Sequence, residues 1–370
     1  MKKLFFFLLL TSVFACGGDE GDQPKTPEDN FDRQAMLSHW ADNIIIPAYT
    51  FFAQKTSDLK SAGEDFANDP SAANYDVLVT KWELAYGEFQ AVFMFEIGKA
   101  EELRFTNNLN IYPTDVVGLT DNVLNGGYNL ELPSQIAMQG FPALDYLLFG
   151  VAEGTDAVLD FYENDTNAAK YLEYLNVLTT RIDNLTQAVL TDWNDGFRND
   201  FVENSGNSAL ASVDKLTNDF IFYYEKHLRA GKIGIPAGVF SGDPLSENVE
   251  AFYRKDLSRI LFNRALDAVQ NFFNGVPYDG GTEGESMKTY IQYLDVMKNG
   301  KSLADVINNQ FREARSAAHE LSENLAQQVE TDNMKMLATY DQLQLNVVHI
   351  KVDMLQAFNI NVDYVDADGD

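Results

Sequence analysis

What this chain of 370 residues lacks narrows its chemistry before any motif is read. A single cysteine, Cys16, leaves no partner for an intramolecular disulfide, so stability must come from a packed core. Cations are scarce: 27 lysines and arginines face 56 aspartates and glutamates, a formal charge of −29. Such a surface is repelled by phosphate backbones and anionic head groups, which excludes direct nucleic-acid binding. No apolar run beyond the N-terminus approaches the roughly 20 residues of a membrane-spanning helix. G-x-S-x-G, G-x-x-x-x-G-K-[ST] and a strand-borne G-x-G-x-x-G are all missing, so neither a serine nucleophile nor a nucleotide cofactor is indicated. Histidine is rare too, at four residues. His39, His227, His319 and His349 form no local ligand pair and read as caps or surface groups. His319-Glu320 opens like the zinc motif H-E-x-x-H, but Glu323 stands where the second histidine must be.

What is present begins with an export signal. Lys2 and Lys3 precede an apolar stretch, Leu4 to Leu10, and Ala15 stands directly before Cys16. Basic start, short apolar core and small residue are the layout of a secretory leader, residues 1–15. Cysteine at the cleavage point is where a lipoprotein carries its lipid, so Cys16 is the expected lipidation site. Residues 16–32, with GGDEGDQPKTPEDN, are acidic and rich in Gly and Pro, and read as a tether. The expected location is outside the cytoplasm, anchored at the periplasmic face or the cell surface.

Residues 33–370 show helical periodicity nearly throughout. Leu172, Leu175, Leu178, Ile182, Leu185 and Val189 recur at three and four, the stripe of an amphipathic helix. Ser71–Ala100 reads as helix, as do Val249–Leu266, Ile291–Met297 (stopped by Gly300) and the stretch from Leu303. Long interruptions fall at Thr106–Pro133, Gly196–Asn207 and Gly231–Pro244, where Gly and Pro argue against helix. The predicted fold class is all-α, two related helical bundles over residues 33–206 and 207–370 with long Gly/Pro-rich loops.

Five segments in order carry a family resemblance: NIYPTD (Asn110–Asp115), GFPALDYLLFG (Gly140–Gly150), KIGIPAG (Lys232–Gly238), SENVEAFY (Ser246–Tyr253) and the end from His349 to Asp370. Together they resemble the imelysin family, whose signature is G-x-H-x-x-E followed by an apolar run. The resemblance implies an all-helical protein at the cell envelope, a link to iron uptake and a place among metallopeptidases. Its proposed metal ligands are the signature His and Glu. Here Pro142 stands at the histidine position and Asp145 at the glutamate position. Proline has no side-chain lone pair, so that ligand set is broken.

The expected function is a lipid-anchored binding protein in bacterial iron uptake that cleaves no peptides. The alternatives are a metallopeptidase with rearranged ligands and a scaffold that docks a transport or haem-handling partner. No catalytic residue is assigned. The expected site lies where the signature helix meets the two Gly/Pro loops, with Asp145 first, also as the best metal candidate. Asp115, Glu250 and Asp353 follow on the other resembling segments, then Arg104, Tyr112 and Lys351. Iron or another divalent metal is the cofactor class implied, and the membrane, iron, haem or an iron-transport protein the partners. Asp366, Asp368 and Asp370 mimic half of a calcium loop, but the closing twelfth-position Glu has no counterpart in the sequence, and a turn is the reading kept.

Overall fold

The apolar stripes fold as the helices they predict in a computed structural model describing residues 29–364. These residues are all-α apart from one short hairpin. The leader, Cys16 and the three terminal aspartates lie outside the described residues. Ala168–Asp192 buries Leu172, Leu175, Leu178, Ile182, Leu185 and Val189. It packs on Ile46–Asn68, which a three-residue link joins to Ala72–Val92. So short a link makes those two helices antiparallel neighbours. Gly63 permits the close crossing, because a Cβ there would stand 2.5 Å from Thr179 Oγ1. Thr56 and Ser57 each donate to Asp183 Oδ1 across the same crossing at 3.0 Å.

Later in the chain, Leu303–His319 and Leu325–Val347 pair with each other. Tyr223–Gly234 packs on Leu325–Val347, and Ser258–Asn274 lies on both Leu303–His319 and Ala72–Val92. From Asp32 the chain clusters as one compact unit. Tyr223–Gly234 is a twelve-residue π-helix continuing Ser212–Phe222. Its wider turn is rare in proteins and is found disproportionately at functional sites.

Several sequence expectations are corrected. The helix expected to reach Ala100 ends at Val92, and the Thr106–Pro133 loop contains the helix Val116–Asn125. Gly231 and Gly234 lie inside the π-helix. A glycine costs a helix only about 1 kcal/mol, and a Cβ on Gly234 would stand 2.7 Å from the Tyr340 ring. Asn299 and Gly300 take positive φ, 53° and 78°, and turn a two-stranded hairpin, Met297–Lys298 with Lys301–Ser302. Asn-Gly is the residue pair that such a tight turn favours. Val249–Leu257 is not helical, and helix begins at Ser258. Two of its backbone N–H groups are taken by a buried carboxylate in place of helical carbonyls, and that carboxylate belongs to the signature helix.

Candidate functional site

The signature helix, Gly140–Phe149, is fixed by its first residues. Gly140 has φ 76°, and a Cβ there would stand 2.2 Å from the Leu109 carbonyl oxygen, so the chain requires glycine. Phe141 stacks on Tyr86 at 4.6 Å between ring centroids and tilts against Phe52 and Phe89. Pro142 sits in the first turn, where a missing N–H costs little. Pro142 and Asp145 then line a cavity of about 240 Å³ with Tyr112, Thr114, Glu247 and Tyr253.

Asp145 is 2 % exposed. Its carboxylate accepts from Tyr253 N at 2.9 Å and Arg254 N at 2.8 Å. Burial pushes its pKa up to about 7, while the two backbone donors and the Arg254 charge pull the other way. The Arg254 side chain turns aside, its Nε donating to Glu83 at 2.6 Å and its guanidinium lying over Phe149. The segment held by Asp145 is bent at both ends by left-handed residues, Ala251 (φ 56°) and Lys255 (φ 60°). Asp145 therefore ties a strained wall of the cavity to the signature helix.

Glu250, beside that wall, is also 2 % exposed. It pairs with the buried amine of Lys232 and accepts from Asn110 Nδ2 at 2.7 Å and Gln90 Nε2 at 3.5 Å. Tyr86 donates to Asn110 Oδ1 at 2.6 Å, which orients the amide. Burial lowers the Lys232 pKa, and the carboxylate beside it raises it again. Tyr112 and Tyr223 are held protonated by burial and then by the Glu250 charge. The center is thus a desolvated ion pair ringed by phenols, with the NIYPTD loop, the Ala72–Val92 helix and the π-helix each contributing.

Asp145, Tyr112 and Glu250 come together; the other candidates do not join them. Asp115 is exposed and accepts from Gly118 N at 2.9 Å, capping Val116–Asn125. Arg104 is exposed, its left-handed backbone (φ 48°) joining two short helices. Asp353 pairs with Lys298 and with His349 Nδ1 at 3.2 Å. Lys351 donates to both oxygens of buried Glu225, at 3.1 and 3.0 Å, beside Arg229. Sequence reading missed Lys232, Asn110, Gln90 and Glu225. The available signal was a lysine inside the apolar, glycine-rich KIGIPAG. Among the described residues no three His, Cys, Asp or Glu side chains are disposed to hold a metal ion.

The family model described as Imelysin matches residues 45–352. Iron-regulated protein A of Synechococcus elongatus is 22 % identical over 165 residues, covering 43 % of this chain and 42 % of that protein. The match thus spans about two fifths of the curated relative. The fold is similar to a crystal structure described as an iron-regulated protein A precursor from Parabacteroides distasonis. The TM-score is 0.71 at 16 % identity, covering 88 % of this chain and 95 % of the other. An imelysin-like protein from Psychrobacter arcticum gives a TM-score of 0.69 at 16 % identity, covering 90 % and 97 %.

Proposed function

The chain belongs to the imelysin family, and from that premise we propose a lipid-anchored binding protein of bacterial iron acquisition that does not hydrolyze peptides. The curated relative's name, iron-regulated protein A, supports the iron connection. One observation carries the loss of peptidase chemistry. At the signature's two ligand positions, Pro142 offers no lone pair and Asp145 spends its carboxylate on two backbone N–H groups. Metal-assisted hydrolysis needs a held metal with an open coordination position for water, and these two side chains serve the fold instead. The 240 Å³ cavity between them and Tyr112 is the binding site in this reading.

The test is proteolysis of an unfolded substrate by purified protein, with and without chelator and added zinc. No metal-dependent cleavage is expected. Activity abolished by EDTA and restored by zinc would establish the metallopeptidase alternative. Anchoring is tested separately. Cys16→Ala should abolish lipid labeling and leave the protein soluble, and a variant that still fractionates with membranes would refute the lipoprotein reading.

A further inference from the structure

A second cavity, of about 210 Å³, opens where Ser258–Asn274 packs on Ala72–Val92, beside the start of Ile46–Asn68. Clefts between packed helices are a usual place for small-molecule sites. Arg264, Asp267, Ala268, Asn271 and Phe272 recur at three and four, which sets them on one helix face toward the cavity. Glu88 and Ala91 meet them from the facing helix. The interior is apolar. Ala48, Phe95 and Phe272 line it and are each at most 2 % exposed. Ala91 and Ala268, with their small side chains, leave room between the helices.

The polar side of the cavity is built around Arg264. Its Nη1 donates to Glu88 Oε1 at 2.9 Å, and the Tyr278 hydroxyl donates to Glu88 Oε2 at 2.9 Å. Gly87 makes way for the guanidinium: a Cβ there would stand 2.7 Å from Arg264 Nη1 and 2.9 Å from its Cζ. Tyr278 is fixed in turn, its backbone N donating to the Asn43 carbonyl at 2.8 Å. Burial, then the Glu88 charge, raises the Tyr278 pKa, so the phenol stays a donor. Asp267, the other acid of the wall, accepts from Arg315 Nε at 3.1 Å. A guanidinium carries five N–H donors in a planar fork, and Arg264 spends one of them on Glu88. Its Nε and Nη2 have no acceptor among the described residues. Such an edge grips a carboxylate through two parallel hydrogen bonds.

We propose that this cavity binds a small apolar carboxylate, a single aromatic ring or short alkyl chain whose carboxyl group meets the open edge of Arg264. An apolar cavity of about 150 Å³ is large enough for benzene, so a ring with one short substituent fits 210 Å³. Glu88 shares the guanidinium, and the chain as a whole is strongly acidic. Affinity is therefore modest and needs both parts of the ligand, the apolar body and the carboxylate. An organic cation suits the cavity less well, because Glu88 and Asp267 each already hold an arginine. This assignment does not depend on the iron-related reading of the cavity at Pro142.

The experiment is calorimetric titration of the purified protein at neutral pH with benzoate, hexanoate, benzyl alcohol and benzylamine. At least one carboxylate should bind saturably. Benzyl alcohol and benzylamine should bind at least about tenfold more weakly, the difference made by one charge-assisted contact. Arg264→Gln should weaken carboxylate binding by a similar factor and leave benzyl alcohol unchanged, with the fold intact because Arg264 is exposed. Ala91→Met, which fills the interior, should weaken all four. If Ala91→Met fails to fold, Arg264→Gln still decides. No saturable binding of either carboxylate would overturn the proposal, as would benzyl alcohol or benzylamine binding as tightly as benzoate. Carboxylate binding undiminished in Arg264→Gln would overturn it too.

Discussion

The residue at the heart of the family signature has become a tether. The Asp145 carboxylate supplies two acceptors to two adjacent backbone donors, a match that an amide cannot reproduce. In Asp145→Asn one oxygen still accepts an N–H, while the amide NH₂ faces the other donor. Relief of the desolvated charge offsets part of that loss. The expected cost is about 1–3 kcal/mol, the usual penalty for a buried donor left without a partner. Denaturant unfolding of the variant measures it. Amide exchange should quicken specifically at Tyr253 and Arg254. A variant as stable as wild type, with both amides still protected, would show that the tether carries no weight. Sequence reading found Asp145 because it occupies a motif position. It did not find its partners, because backbone amides a hundred residues away leave no mark in composition or spacing.

The elements that sequence misjudged are those whose backbone is governed from a distance. Val249, Phe252, Tyr253 and Leu257 have helical spacing, yet the chain there is bent by left-handed Ala251 and Lys255. A left-handed conformation costs an L-residue roughly 1–2 kcal/mol, and glycine escapes that cost at some loss of unfolded-state entropy. Ala251→Gly should therefore stabilize the protein by about 0.5–1 kcal/mol, read as a rise in melting temperature, and Ala251→Val should lower it. The opposite order would mean that Ala251 is not strained. The long helices were legible because period and burial agree, as in Leu172 to Val189. The π-helix was not, because Gly231 and Gly234 looked like breakers. Its inward charges, Glu225, Arg229 and Lys232, look in sequence like an ordinary solvated face, yet all three are buried.

At the scale of the whole molecule, several carboxylates lie out of water, and the fold's response to pH follows. Burial raises Asp145 and Glu96 to about 7 and lifts Asp219 well above its ordinary value. A smaller rise at Asp214 also comes from burial. Around Glu96, the Thr106 and Phe105 amides oppose the rise, and the Glu101 charge adds to it. A carboxyl whose folded pKa exceeds its unfolded value gives the folded state protons that the unfolded chain has already released. Its stabilizing contribution is complete below the unfolded pKa and is lost as pH rises through the folded one. For Glu96 that window runs from the ordinary glutamate value of 4.5 to about 7. The loss across it is on the order of 3 kcal/mol. Asp58 and Glu131 shift downward through partly exposed pairs with Lys81 and Arg181, and pairs near the surface contribute too little to reverse the trend. The protein should therefore melt higher at about pH 5.5 than at about pH 8. Glu96→Gln should remove part of the slope and raise stability on the alkaline side. Melting temperatures measured across this range, in both proteins at fixed ionic strength, decide the matter. Stability that climbs steadily toward alkaline pH would show that these carboxylates are solvated rather than buried.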